Sequence, residues 1–144
     1  MNPDDECEFC EIVASEEPAR IVLRSNEVVA FFPLEPATLG HTLLIPTSHI
    51  PDIWALDESA ASSLAVATLS VAHAVRTAMS PDGLNIIQSN GEAATQTVPH
   101  LHVHVVPRWF DDDMGDIWPE KTDWSSEQKD EAQQAIRDAL RDDA

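Results

Sequence analysis

Positive charge is scarce in this sequence: 8 lysines and arginines stand against 26 aspartates and glutamates, a formal net charge of −18 at pH 7. Nucleic acids and anionic membrane surfaces are bound through basic footprints, so neither is expected as a partner. A small anionic substrate would have to be captured by local groups. Long hydrophobic runs are missing as well. No segment approaches the roughly 20 apolar residues of a membrane span, and the amino-terminal residues are acidic where a secretory signal would be basic. A cytoplasmic protein is expected. Cysteine occurs only twice, in Cys7-Glu8-Phe9-Cys10. A redox pair of this spacing usually opens a helix directly after a strand, and only polar residues precede it here, which argues against thioredoxin-like chemistry. The pair is instead half of a zinc site, or two buried free thiols. As a half-site it needs two more ligands. His49 is an obvious third, because imidazole and thiolate together favour tetrahedral zinc, and the residues alone leave the fourth open.

What the chain does have is a 43% hydrophobic content over 144 residues, enough for one domain with a real core. Its most patterned stretch is His100-Leu101-His102-Val103-His104-Val105-Val106-Pro107-Arg108. Strict alternation predicts a strand with three imidazoles on one face and Leu101, Val103 and Val105 on the other. A buried sheet would normally carry aliphatics in both rows, so three groups that titrate near neutrality, bind metal or attack phosphorus imply chemistry.

Around this strand the pattern predicts an α+β fold. A short helix runs from Cys10 to about Ala14, followed by a polar turn ending at Pro18. Strands are expected at Arg20 to Arg24 and Glu27 to Phe32, joined at Ser25-Asn26, with Pro33-Leu34-Glu35-Pro36 ending the second. His41 to Pro46 is a third strand, and His41 alone reads as an ordinary strand-end histidine. Asp57 to Met79 is a long helix, capped by Asp57 and stopped by Ser80-Pro81-Asp82-Gly83, with an apolar stripe of Leu64, Ala67, Val71, Val75 and Ala78. His73 lies off that stripe, as a helix-surface or interface histidine. Leu84 to Ser89 is a strand, and Asn90 to Gln96 a loop of small residues able to bring backbone amides against a phosphate. Asp111-Asp112-Asp113 reads as a solvated turn rather than a metal loop. Trp109, Trp118 and Trp124 are expected to cover a pocket rim or a subunit contact. A last helix spans about Ser126 to Arg141, with Ser125 and Gln128 as a capping box.

Gln96-Thr97-Val98-Pro99-His100-Leu101-His102-Val103-His104-Val105-Val106-Pro107-Arg108, with Gly40-His41 upstream, resembles the signature of the histidine triad (HIT) superfamily of nucleotide hydrolases and transferases. The resemblance covers about Cys7 to Arg108. It implies a single HIT domain over residues 1–144, an antiparallel sheet with a long and a carboxy-terminal helix, and an extension from about residue 109. It implies a Cys2His2 zinc site of Cys7, Cys10, His49 and His100. His41 would support the triad, His102 would attack the α-phosphorus of a purine nucleotide, and His104 would donate to the phosphoryl oxygens. Gln96, Thr97 and the position of Ser89 correspond to phosphate-binding positions, although Ser89 and Thr95 stand where asparagine and glycine are common. Many HIT proteins hold the ribose with Asp or Asn eight residues before the glycine-linked histidine. Pro33 stands there in this chain, and Glu35 is the nearest substitute. A homodimer is expected through the Asp57 to Met79 helix and the Leu84 to Ser89 strand. Magnesium is not implied. Phosphoramidates, aminoacyl-adenylates and dinucleoside polyphosphates all remain eligible, as does a zinc-stapled nucleotide-binding module without turnover.

Overall fold

A computed structural model describes residues 7–15 and 19–142; the expected turn ending at Pro18 lies partly outside them. The elements in order are α1 (Glu8–Ala14), β1 (Ile21–Arg24), β2 (Val28–Phe31), β3 (Thr42–Pro46), α2 (Glu58–Met79), β4 (Gly83–Gln88), β5 (Val103–Arg108) and α3 (Ser126–Asp142), with 3-10 turns at Ile53–Ala55 and Glu92–Ala94. One five-stranded sheet has the order β1-β2-β3-β5-β4, every pair antiparallel. This is the α+β architecture the pattern predicts.

β2 and β3 are buried along their whole length because both faces of the sheet are covered. Val28, Ala30 and Leu44 face one cluster with Leu64, Val71 and Val75 of α2 and Leu101, Val103 and Val105 of the triad segment. Val29, Phe31, Leu43 and Ile45 face the other, with Cys7 and Phe9. The period of two therefore sorts a continuous apolar run onto two cores. On α2 the buried stripe is Leu64, Thr68, Val71 and Val75, with the Thr68 hydroxyl donating to the Leu64 carbonyl at 2.7 Å. Ala78, expected on that stripe, is exposed.

Several boundaries differ from the sequence pattern. The triad strand begins at Val103 rather than His100, since the Leu101 amide is drawn away to the Ile50 carbonyl at 2.6 Å before the ladder starts. α1 begins at Glu8 rather than Cys10, because the Cys7 sulfur accepts from the Cys10 amide as its cap. Asp112 is not solvated: Arg108 donates to both its oxygens at 2.8 and 3.1 Å, and the Trp109 and Met114 amides donate at 2.9 and 3.1 Å. The Arg108 hydrogen bond, foremost among these, holds the Asp112 carboxyl well below the usual carboxylate range. Asp111 and Asp113 are exposed.

Gly40 is required where it stands. Its φ is +98°, and a Cβ would meet Met79 at 3.0 Å and Pro107 at 3.3 Å. Ser80 ends α2 in the left-handed conformation, φ 50° and ψ 51°, where glycine avoids a steric cost of about 1 kcal/mol. Ser80→Gly is expected to raise stability by about that amount, or the thermal midpoint by roughly 2–4 °C, read by thermal denaturation.

The chain divides into two compact units, Met1–Met114 and Gly115–Ala144. The second holds α3, whose capping box is reciprocal: the Gln128 amide donates to the Ser125 hydroxyl at 3.1 Å, and the Ser125 amide to the Gln128 side chain at 2.9 Å. None of the described α3 residues is buried.

Candidate active site and metal centre

Two sites adjoin on the face of the sheet that carries α1. The first is a cluster of Cys7, Cys10, His49 and His100 whose ligand atoms all lie within 4.8 Å of one another. His100 Nδ1 is 3.4 Å from the Cys7 sulfur and 3.5 Å from that of Cys10, and His49 Nδ1 is 3.3 Å from Cys10. A tetrahedral zinc with its usual bond lengths separates neighbouring ligand atoms by about 3.5 Å, so the donor set fits such an ion. His100 Nε2 lies 2.9 Å from the Pro46 carbonyl, which can only accept. The proton is thus on Nε2 and the Nδ1 lone pair faces the sulfurs, as a metal-ligating histidine requires.

The second site is a cleft of about 480 Å³ whose lining includes His41, His102, His104, Thr97 and Glu35. Its apolar walls are Phe9, Ile12, Phe31, Leu43 and Val98. The protons in it are ordered by backbone partners. The Ala37 amide donates to His41 Nδ1 at 3.0 Å, which leaves the His41 proton on Nε2. That nitrogen is 2.9 Å from His104 Nδ1, so His41 donates and His104 accepts, and the proton of His104 sits on Nε2. His102 runs the other way. Its Nδ1 donates to the His100 carbonyl at 2.9 Å, leaving a lone pair on Nε2.

Electrostatics agree with this arrangement. Burial, then the neighbouring His102 and His41, lowers His104 from 6.5 to about 4, and burial also lowers His41. Both are neutral at pH 7. The unfolded chain takes up a proton on His104 near pH 6.5 while the folded chain does not until about pH 4. Stability from this group is therefore present above pH 6.5 and lost as pH falls between those values. Urea midpoints are expected to fall between pH 7 and pH 5, by less in His104→Gln than in the native protein.

Of the residues singled out from the sequence, the cleft unites His41, His102, His104, Thr97 and Glu35, with Pro33 beside them. Gln96 does not line it. Its side chain accepts from the Gly91 amide at 2.8 Å and donates to the Pro51 and Val98 carbonyls at 2.7 and 3.0 Å, so it ties the loop together. Ser89 is half-buried and away from the lining. The sequence reading missed Phe9, Phe31 and Arg20 as lining residues. Phe9 carried one signal, its place between the two cysteines; Phe31 and Arg20 carried none.

The HIT domain profile matches residues 14–111. The chain belongs to the HIT family. This HIT protein is similar to the solved structure of a HIT family member from Bacillus subtilis, at 34% identity and a TM-score of 0.84 over 92% of this chain and 96% of that one. A zinc-bound histidine triad protein from Mycobacterium smegmatis matches at 31% identity and a TM-score of 0.69 over 98% and 99%. Adenosine 5'-monophosphoramidase HNT1 of Saccharomyces cerevisiae is 33% identical over 130 residues, 84% of this chain and 75% of that protein.

Proposed function

We propose that this HIT protein hydrolyses, or transfers from, the α-phosphate of a purine nucleotide such as an adenosine phosphoramidate or a dinucleoside polyphosphate. One observation carries the reading: a single cleft holds one imidazole with a free lone pair, His102, beside a second, His104, whose proton is held outward by His41 and the Ala37 amide. A neutral imidazole is a good nucleophile towards phosphorus. His102 Nε2 forms the P–N bond as the amine or phosphate leaving group departs. Water then cleaves the nucleotidyl-histidine to release mononucleotide and restore the lone pair. His104 Nε2–H donates to phosphoryl oxygen as charge develops, with Thr97 beside it. The phosphoramidase activity of the yeast relative supports this class of substrate.

Cys7, Cys10, His49 and His100 are the zinc ligands in this reading, and the ion's contribution is structural. Glu35 takes the ribose hydroxyls in place of the carboxylate or amide that Pro33 lacks. The acidic surface and the absence, among the described residues, of a helix long and apolar enough to cross a membrane accord with a cytoplasmic role. Incubation with a fluorogenic adenosine phosphoramidate and an α-labelled dinucleotide tests the reaction. Release of mononucleotide is expected, whereas binding without release favours a nucleotide-binding module, for which Pro33 is the supporting observation.

A homodimer belongs to the same proposal. Val66 and Leu69 on the outer face of α2 are exposed, as is Ile86 on β4, the strand at one edge of the sheet. An exposed apolar helix face and an open sheet edge each favour two-fold pairing. Sedimentation at micromolar concentration is expected to give twice the chain mass of 15.8 kDa; a clean monomer counts against it.

A further inference from the structure

The metal ligands and the nucleophile share two physical links. The first is the backbone of His100, whose ring points Nδ1 at both sulfurs while its carbonyl accepts from His102 Nδ1 at 2.9 Å. The second is Phe9, which lies between Cys7 and Cys10 on α1. Its buried ring stands edge-on to His102 at 5.2 Å between centroids and 87° between planes, to His100 at 6.0 Å and to Phe31 at 5.4 Å. α1 is only 7 residues long, too short to be stable on its own. It is fixed by the packing of Phe9, Ile12 and Val13 on the core cluster, by the two thiols meeting His49 and His100, and by Arg24 bonds to the Val13 and Ser15 carbonyls at 2.8 and 2.9 Å. The sulfur–nitrogen contacts of 3.3–3.5 Å among these ligand groups are long hydrogen bonds, and a shared ion would hold α1 more firmly against the cleft.

We infer that the Cys7-Cys10-His49-His100 cluster is a positioning device for the reaction as well as a structural staple: metal held there fixes α1 and the His100 carbonyl, and these set the ring of His102. The inference rests on the proposed reaction, which makes His102 the nucleophile. Phe9 acts here as a positioning residue, the wall that keeps the His102 ring from turning about χ2. Occupancy of the metal site thereby controls turnover without a ligand reaching the substrate.

His49 is the ligand to change, because it does not line the cleft. In His49→Ala, zinc content should fall and kcat should drop at least tenfold while KM stays within about threefold. The ring-current shift that Phe9 imposes on the carbon-bound protons of His102 should collapse in the nuclear magnetic resonance spectrum. His49→Cys, which keeps four ligands, should restore zinc, kcat and the shift together. Zinc-free His49→Ala turning over at the native kcat with an unchanged shift overturns the inference. Should His49→Ala not fold, graded return of zinc to metal-depleted native protein replaces it. A kcat and ring-current shift that rise with occupancy support the inference, and a kcat or shift indifferent to occupancy overturns it. If zinc-loaded native protein shows no turnover at all, the reaction reading fails, and the ring-current shift alone decides the positioning.

Discussion

His102→Asn is expected to abolish turnover while nucleotide affinity changes by less than about tenfold, or roughly 1.4 kcal/mol. The substitution removes the Nε2 lone pair but keeps a polar side chain near the His100 carbonyl, and His104 and Thr97, the donors to phosphate in the proposed reaction, are untouched. Binding and attack therefore separate. His104→Ala should behave differently: losing a donor to developing charge typically slows the step by about a hundredfold to a thousandfold and leaves the covalent route open. Acid sensitivity gives a direct check, because a phosphorus–nitrogen bond to imidazole survives alkali and breaks in acid. Labelled substrate quenched in alkali should leave a nucleotidyl adduct on native protein and none on His102→Asn. Native turnover by His102→Asn would falsify the assignment and pass the role to His104 or to a directly attacking water.

The second large effect concerns the metal. Protein prepared without chelator is expected to contain about one zinc per chain, and Cys7→Ser should lose it. Cys7 is 5% exposed and its sulfur faces His100, so the serine leaves an imidazole lone pair and a second thiol without their shared ion. An ion present at about a thousand times its dissociation constant contributes about 4 kcal/mol to folding. For a chain of this size that corresponds to a thermal midpoint lower by on the order of 10 °C. The two apolar clusters on either face of the sheet should keep the variant foldable at low temperature. Fully stable protein without metal sinks the zinc assignment.

Replacement of Pro33 bears on substrate choice. Pro33→Asp places a carboxylate in the cleft beside Glu35, and the KM of an adenosine substrate is expected to fall by several-fold if ribose hydroxyls bind there. Glu35→Gln should raise it. An unchanged KM in both variants removes the ribose from this end of the cleft.

The alternation from His100 to Val105 separated, without any structure, Leu101, Val103 and Val105 from the three imidazoles, and the separation holds although the strand itself begins only at Val103. Leu101, Val103 and Val105 are indeed in the core beneath α2. Helix α2 was equally legible, since its Asp57 cap and its stop at Ser80 are local chemistry. The cysteine spacing with His49 announced three of the four members of the candidate metal cluster. Tertiary structure alone decided the rest, because it depends on groups distant in sequence. The tautomer of each histidine follows from a backbone partner: the Pro46 carbonyl for His100, the Ala37 amide for His41, and through His41 the proton of His104. That the Gln96 side chain bonds the Gly91 amide and the Pro51 and Val98 carbonyls was visible only in the fold. Asp112 looked like one of three solvated acids until Arg108 folded back onto it. Phe9 joined the site only when the short helix carrying it was brought against β2 and His102. A local pattern fixes the face on which a side chain lies, whereas its partner, and hence its proton and its chemistry, is supplied by chain from elsewhere.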